Sequence, residues 1–128
     1  MNSLQGVSIL VGDDESELRE ILAEEFQVMG AAVRTASCGD EAFQIFEEFR
    51  PTVVLSDVRM SGGDGMSLLA RIRERHPVAP PFVFLLSGYA ELPQMDTEDL
   101  QCEELIPKPF SLKTLRARVI EVTKRISR

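Results

Sequence analysis

The 128-residue sequence contains no tryptophan, one tyrosine, one histidine and two cysteines, and its 14 basic residues are outnumbered by 21 acidic ones. Each shortage narrows the function. The deficit of Lys and Arg leaves a formal net charge of −7. That argues against direct nucleic-acid binding by this domain, because such affinity rests largely on cations neutralising phosphates. The same acidity suits a site that holds a divalent cation. Cys38 and Cys102 lie far apart without metal-ligand spacing, and they read as reduced, partly buried thiols of a cytosolic protein. No uncharged run reaches the roughly 20 residues of a membrane span. The longest, Pro77 to Ala90, also holds three prolines. Met1-Asn2-Ser3-Leu4-Gln5 lacks the basic start of a secretory signal. The expectation is one soluble, cytoplasmic domain over residues 1–128 that makes no membrane contact itself. It can stand alone or be a piece of a longer protein, and its sequence sets no oligomeric state.

What is present is a regular alternation. Val7–Val11 is a short apolar run followed by Gly12-Asp13-Asp14-Glu15. Leu18, Ile21, Leu22, Phe26 and Met29 then recur at helical spacing, with Asp14 or a neighbour available as cap and Gly30 as stop. Ala31–Ala36 reads as a second strand. Ala42, Ile45, Phe46 and Phe49 mark a second helix that starts at Gly39-Asp40 and leaves at Pro51. Val53-Val54-Leu55-Ser56-Asp57 lacks polar alternation, as expected of a strand covered on both faces. Met66, Leu68, Leu69 and Ile72 predict a third helix stopped at His76-Pro77, where His76 fits a C-terminal cap better than catalysis. Phe82–Leu86 is a second doubly buried strand, and Glu104-Leu105-Ile106 a short one. Ala90 to Cys102 predicts a short or irregular helix. Ser111 caps a last helix with Leu112, Leu115, Val119, Val122 and Ile126 on one face. Five strand-helix units imply an α/β fold, an open doubly wound five-stranded parallel sheet of order 2-1-3-4-5 with helices on both faces.

Four strands finish in residues of definite chemistry: Asp13-Asp14, Asp57, Ser87 and Lys108. In a parallel sheet these ends share one edge, and the first and third strands meet at the topological switch point. Three carboxylates crowded there repel unless a cation intervenes, and oxygen-only donors favour Mg²⁺. Lys108 adds a compact positive charge suited to a phosphoryl oxygen, and Ser87 a hydroxyl donor. Together these groups suit attack of a carboxylate on a phosphoryl group to give an acyl phosphate. Each residue also has an ordinary use. Asp57 can open a turn, Asp13, Asp14 and Glu15 can be helix-cap acids, and Ser87-Gly88 can be a turn. Lys108 can be a loop lysine, and Tyr89 can border the site or cover apolar surface.

Ile9-Leu10-Val11-Gly12-Asp13-Asp14-Glu15, Asp57-Val58-Arg59-Met60 with Gly62 and Asp64-Gly65, Ser87-Gly88-Tyr89 and Lys108-Pro109-Phe110 together resemble a response-regulator receiver domain, over essentially the whole chain. The resemblance implies that Asp57 is the phosphoacceptor, served by a histidine kinase or a histidine phosphotransfer protein, and that a downstream effector domain or protein reads the result. It implies Mg²⁺ bound by Asp14, Asp57 and the backbone carbonyl of Arg59, with Asp13 helping through water. Lys108 pairs with Asp57 and then the phosphoryl group, and Ser87 is the switch hydroxyl. Gly12, Ser61, Gly63 and Leu105 depart from the usual residues, which predicts a looser loop after Asp57 and a switch without the usual aromatic at position 105.

Three other classes compete. A pseudo-receiver that only binds protein would not need the intact Asp13, Asp14, Asp57, Ser87 and Lys108. A dehalogenase-type Mg²⁺ phosphatase wants a second Asp where Arg59 stands. Flavin binding would set a phosphate against Gly12-Asp13-Asp14-Glu15, which would repel it.

Overall fold

The computed structural model describes residues 3–60, 62, 64–78, 80–88 and 102–126. Its elements in chain order are β1 (Ser8–Gly12), α1 (Ser16–Val28), β2 (Ala32–Ala36), α2 (Gly39–Phe49), β3 (Val53–Asp57), α3 (Gly65–Arg75), β4 (Phe82–Ser87), β5 (Glu104–Pro107) and α4 (Leu112–Ile126). The strands are all parallel, in the order β2-β1-β3-β4-β5. The expected architecture is therefore the observed one.

The period of two along each strand divides the core into two layers. Ile9 and Val11 of β1, Val53 and Leu55 of β3, and Phe84 and Leu86 of β4 join Leu22 and Phe26 of α1 and Leu115 and Val119 of α4. Leu10, Val54, Val83 and Leu85 face the other way, onto Ala42 and Phe46 of α2 and Leu68 and Ile72 of α3. Burial on both faces is why β3 and β4 read as unbroken apolar runs. β3 has the bounds the sequence predicts.

Two expectations for α1 need correction. Ile21 falls at helical spacing but is 48% exposed, so the buried stripe is narrower than the five apolar residues suggest. Asp14 does not cap the helix. Glu15 is the N-cap residue and makes no side-chain cap bond, while Asp13 Oδ1 accepts from Glu15 N at 2.9 Å. The other helix ends follow their residues. Gly30 turns the chain out of α1 at φ 98°. The Ser111 hydroxyl accepts from Thr114 N at 3.3 Å at the start of α4, and Asp64 caps α3 by accepting from Ser67 N at 2.8 Å. His76 ends α3 and ties it to α2, its Nε2 lying 2.8 Å from Glu47 Oε2.

Among the described residues, the first buried side chain comes earlier than the first strand. Leu4 is fully buried in the α1–α4 layer, and its N–H donates to the Met29 carbonyl at 2.9 Å. The short helix expected between Ala90 and Cys102, and Tyr89 with it, lie outside the described residues, as do Ser61 and Gly63.

Candidate functional site

Register brings the carboxyl ends of β1, β3 and β4 level. Gly12 pairs with Ser56, Asp57 with Leu86, and Ser87 with Pro107. The residues that follow Gly12, and those that end β3, β4 and β5, therefore meet at one edge. Carboxylate oxygens of Asp13, Asp14 and Asp57 all lie within 4.8 Å of one another. Asp13 is fully buried, Asp57 is 8% exposed and Asp14 is exposed at the rim.

Lys108 follows β5 and is joined to β4 through its N–H, which donates to Ser87 O at 2.7 Å. Its Nζ donates to Asp57 Oδ2 at 3.1 Å and stands 3.6 Å from Asp13 Oδ2. Asp57 Oδ1 faces Arg59 N at 3.4 Å. Ser87 is fully buried, and its hydroxyl donates to the Gly88 carbonyl at 3.1 Å. Asp14, Arg59, Met60, Asp64 and Met66 line an open depression of about 440 Å³ beside the acids.

Burial pushes the carboxyls of both Asp13 and Asp57 above the ordinary range, because leaving water penalises the charged form. Lys108 opposes this for both. Burial also works against the Lys108 charge, but its bond to Asp57 and the fields of Asp13 and Asp57 prevail and raise its pKa. Among the described residues Asp13 Oδ2 is buried and accepts no hydrogen bond, its contact with Lys108 Nζ at 3.6 Å being an ion pair without one. A buried anion oxygen left so is expensive unless a cation meets it. Three carboxylates, one with an orphan oxygen, suit a small hard cation with oxygen donors.

The sequence-predicted residues Asp13, Asp14, Asp57 and Lys108 thus come together. Ser87 and Arg59 lie at the ends of adjoining segments. Leu105 is half-buried against the α2–α3 layer. Gly65 and Met60 stood in the sequence only as motif residues, without a role, and Arg19 was missed. A Cβ on Gly65 would lie 2.3 Å from the Asp57 carbonyl oxygen, so only glycine lets α3 start so close. Met60 is buried over Gly12, its Sδ 3.4 Å from where a Cβ would stand. Arg19 reaches back from α1 to the Asp13 carbonyl at 2.7 Å. A lone cation among the acids at the start of a helix was the available signal for Arg19.

A family model described as "Response regulator receiver domain" matches residues 9–120. The probable transcriptional regulator ycf27 of Porphyridium aerugineum is 32% identical over 126 residues, covering 98% of this chain and 51% of that protein. The regulatory protein AtoC of Escherichia coli (strain K12) is 35% identical over 109 residues, covering 84% of this chain and 23% of that protein. The chain thus spans about half of one curated relative's length and about a quarter of the other's. The receiver domain of Francisella response regulator 1452 superposes with a TM-score of 0.84 at 26% identity, covering 94% of this chain and 98% of that one. A receiver domain protein from Clostridium thermocellum gives 0.81 at 28% identity, with the same coverage.

Proposed function

The chain belongs to the response regulator receiver domains of two-component signalling, and from that premise we propose that Asp57 accepts a phosphoryl group from a histidine kinase or histidine phosphotransfer protein. The observation that carries this reading is the pairing of Asp57 Oδ2 with Lys108 Nζ at 3.1 Å beside two further carboxylates. A carboxylate oxygen of Asp57 attacks the phosphorus of a phosphohistidine. The P–N bond breaks, the imidazole leaves with its electron pair and takes a proton, and an acyl phosphate remains on Asp57. Lys108, already at the carboxylate, holds position beside the incoming phosphoryl oxygens as a counter-charge.

Asp13, Asp14, Asp57 and the carbonyl of Arg59 would hold Mg²⁺, which the orphan Asp13 oxygen and the all-oxygen donor set fit. When bound, the ion supplies charge neutralisation for the phosphoryl oxygens. Ser87 is the switch hydroxyl, and to bond a phosphoryl oxygen it must leave the Gly88 carbonyl. One such charged hydrogen bond is worth about 1.5–3 kcal/mol, whereas shifting a two-state equilibrium from about 1:99 to 99:1 needs about 5.5 kcal/mol. Lys108 and loop amides therefore share the work. The domain acts in the cytoplasm and passes its state to an effector domain or protein. Because the relative ycf27 is a probable transcriptional regulator, we infer transcriptional control as the output class.

Incubation with Mg²⁺ and acetyl phosphate tests the reading. Wild type is expected to gain the mass of one phosphoryl group, and Asp57→Asn is expected to gain none. No gain in wild type, or an equal gain in the variant, refutes it and leaves a phosphorylation-independent binding module.

A further inference from the structure

Asp13 is the most deeply buried member of the acidic cluster, and three of its four hydrogen-bonding groups are held. Its N–H donates to Ala36 O of β2 at 3.1 Å, its Oδ1 accepts from Glu15 N at 2.9 Å, and its carbonyl accepts from Arg19 Nη1 at 2.7 Å. The fourth, Oδ2, accepts no hydrogen bond and lies 3.6 Å from Lys108 Nζ. The carbonyl is outside the helical ladder of α1, whose first bond runs from Arg19 N to Glu15 O at 3.0 Å. One residue thus closes the first turn with its backbone and reaches two residues beyond that turn with its guanidinium.

The residue before Asp13 makes this contact matter. Gly12 has no side chain to restrict the peptide that joins it to Asp13, and glycine populates more backbone conformations than any other residue. The Gly12–Asp13 peptide is therefore anchored by the Asp13 N–H on Ala36 O, and the peptide that follows it by the Asp13 carbonyl on Arg19 Nη1. We propose that Arg19 is a positioning residue of the cation site, whose guanidinium fixes the Asp13 carbonyl so that the Asp13 carboxylate stays with the oxygens of Asp14 and Asp57. Groups that orient metal ligands without touching the metal commonly change affinity by about 10–100-fold when removed. The inference rests on the reading of these carboxylates as a Mg²⁺ site.

The sign of the effect separates position from charge. If Arg19 mattered only as a nearby positive charge, removing it would tighten binding of a cation. If it holds Asp13, removing it weakens binding. Calorimetric titration of the metal-free chain with Mg²⁺ alone reads this directly, with melting curves in EDTA as a check on folding. Arg19→Met is expected to weaken Mg²⁺ roughly tenfold or more, and Arg19→Lys, which keeps a donor, to retain most of the affinity. Arg116→Met removes an α4–α1 ion pair with Glu25 and is expected to bind as wild type does. An Arg19→Met chain that binds Mg²⁺ equally or more tightly overturns the inference. So does an equal loss in Arg116→Met, because affinity would then follow global stability. A wild type that takes up no Mg²⁺ is a different failure, which removes the cation-site reading and this inference with it.

Discussion

Asp13 and Asp57 both sit where burial raises the carboxyl pKa despite a lysine within 3.6 Å of each. A carboxyl whose folded pKa is raised contributes stability that is full below its unfolded value, about 3.9. That contribution is lost as pH rises through the folded value. Keeping Asp13 ionised at neutral pH therefore works against the fold, and Asn, which keeps the acceptor for Glu15 N, relieves it. Asp13→Asn is expected to melt at a higher temperature than wild type at pH 7 in EDTA. The gap should close as pH falls through the raised pKa and narrow when Mg²⁺ is added. A variant that melts lower in EDTA would show that the Lys108 contact outweighs desolvation. The acidic residues of the site were legible because each ends or follows a strand. Arg19 was not, because a half-buried arginine that bonds a carbonyl looks in sequence like any helix-surface cation.

Element ends carry the next constraint. The first residue of α3, Gly65, donates its N–H to Val58 O at 2.9 Å and lies against the Asp57 carbonyl. Gly65→Ala would set a methyl 2.3 Å from that oxygen, and backbone on both sides leaves little room to give. A loss of roughly 1–3 kcal/mol is expected, as for overpacked sites, together with weaker Mg²⁺ binding as the end of β3 shifts. Urea unfolding and calorimetry check both, and an unchanged midpoint would mean that the start of α3 moves freely. The bounds of β3 were readable because a strand covered on both faces shows as an unbroken apolar run, whereas helix ends were read less well. Asp13, Asp14 and Glu15 offer three candidate caps in a row, and only the path of the backbone decides that Asp13 turns back while Asp14 faces the rim. Ile21 has helical spacing with Leu18 and Leu22, but spacing does not record how much of the helix the sheet can cover.

At the scale of the molecule, the two core layers are legible from the alternation along β1, β3 and β4, and the sheet order from the regular strand-helix units. The amino-terminal limit of the core was not. Leu4 stands alone among polar residues, without a periodic neighbour, and its burial depends on the α1 exit at Met29. Leu4→Ala is expected to destabilise the domain by about 2–5 kcal/mol, the range for buried leucine truncations. A denaturation midpoint equal to wild type would place Leu4 outside the core. The loop beyond Asp57 has a distant tie as well, because Asp40 N, in the first turn of α2, donates to the Gly62 carbonyl at 2.9 Å. The Asp40 amide is consequently a natural spectroscopic reporter. Its proton is sheltered from exchange only while that carbonyl is in place, so its nitrogen–proton resonance registers loop displacement from a position outside the acidic pocket.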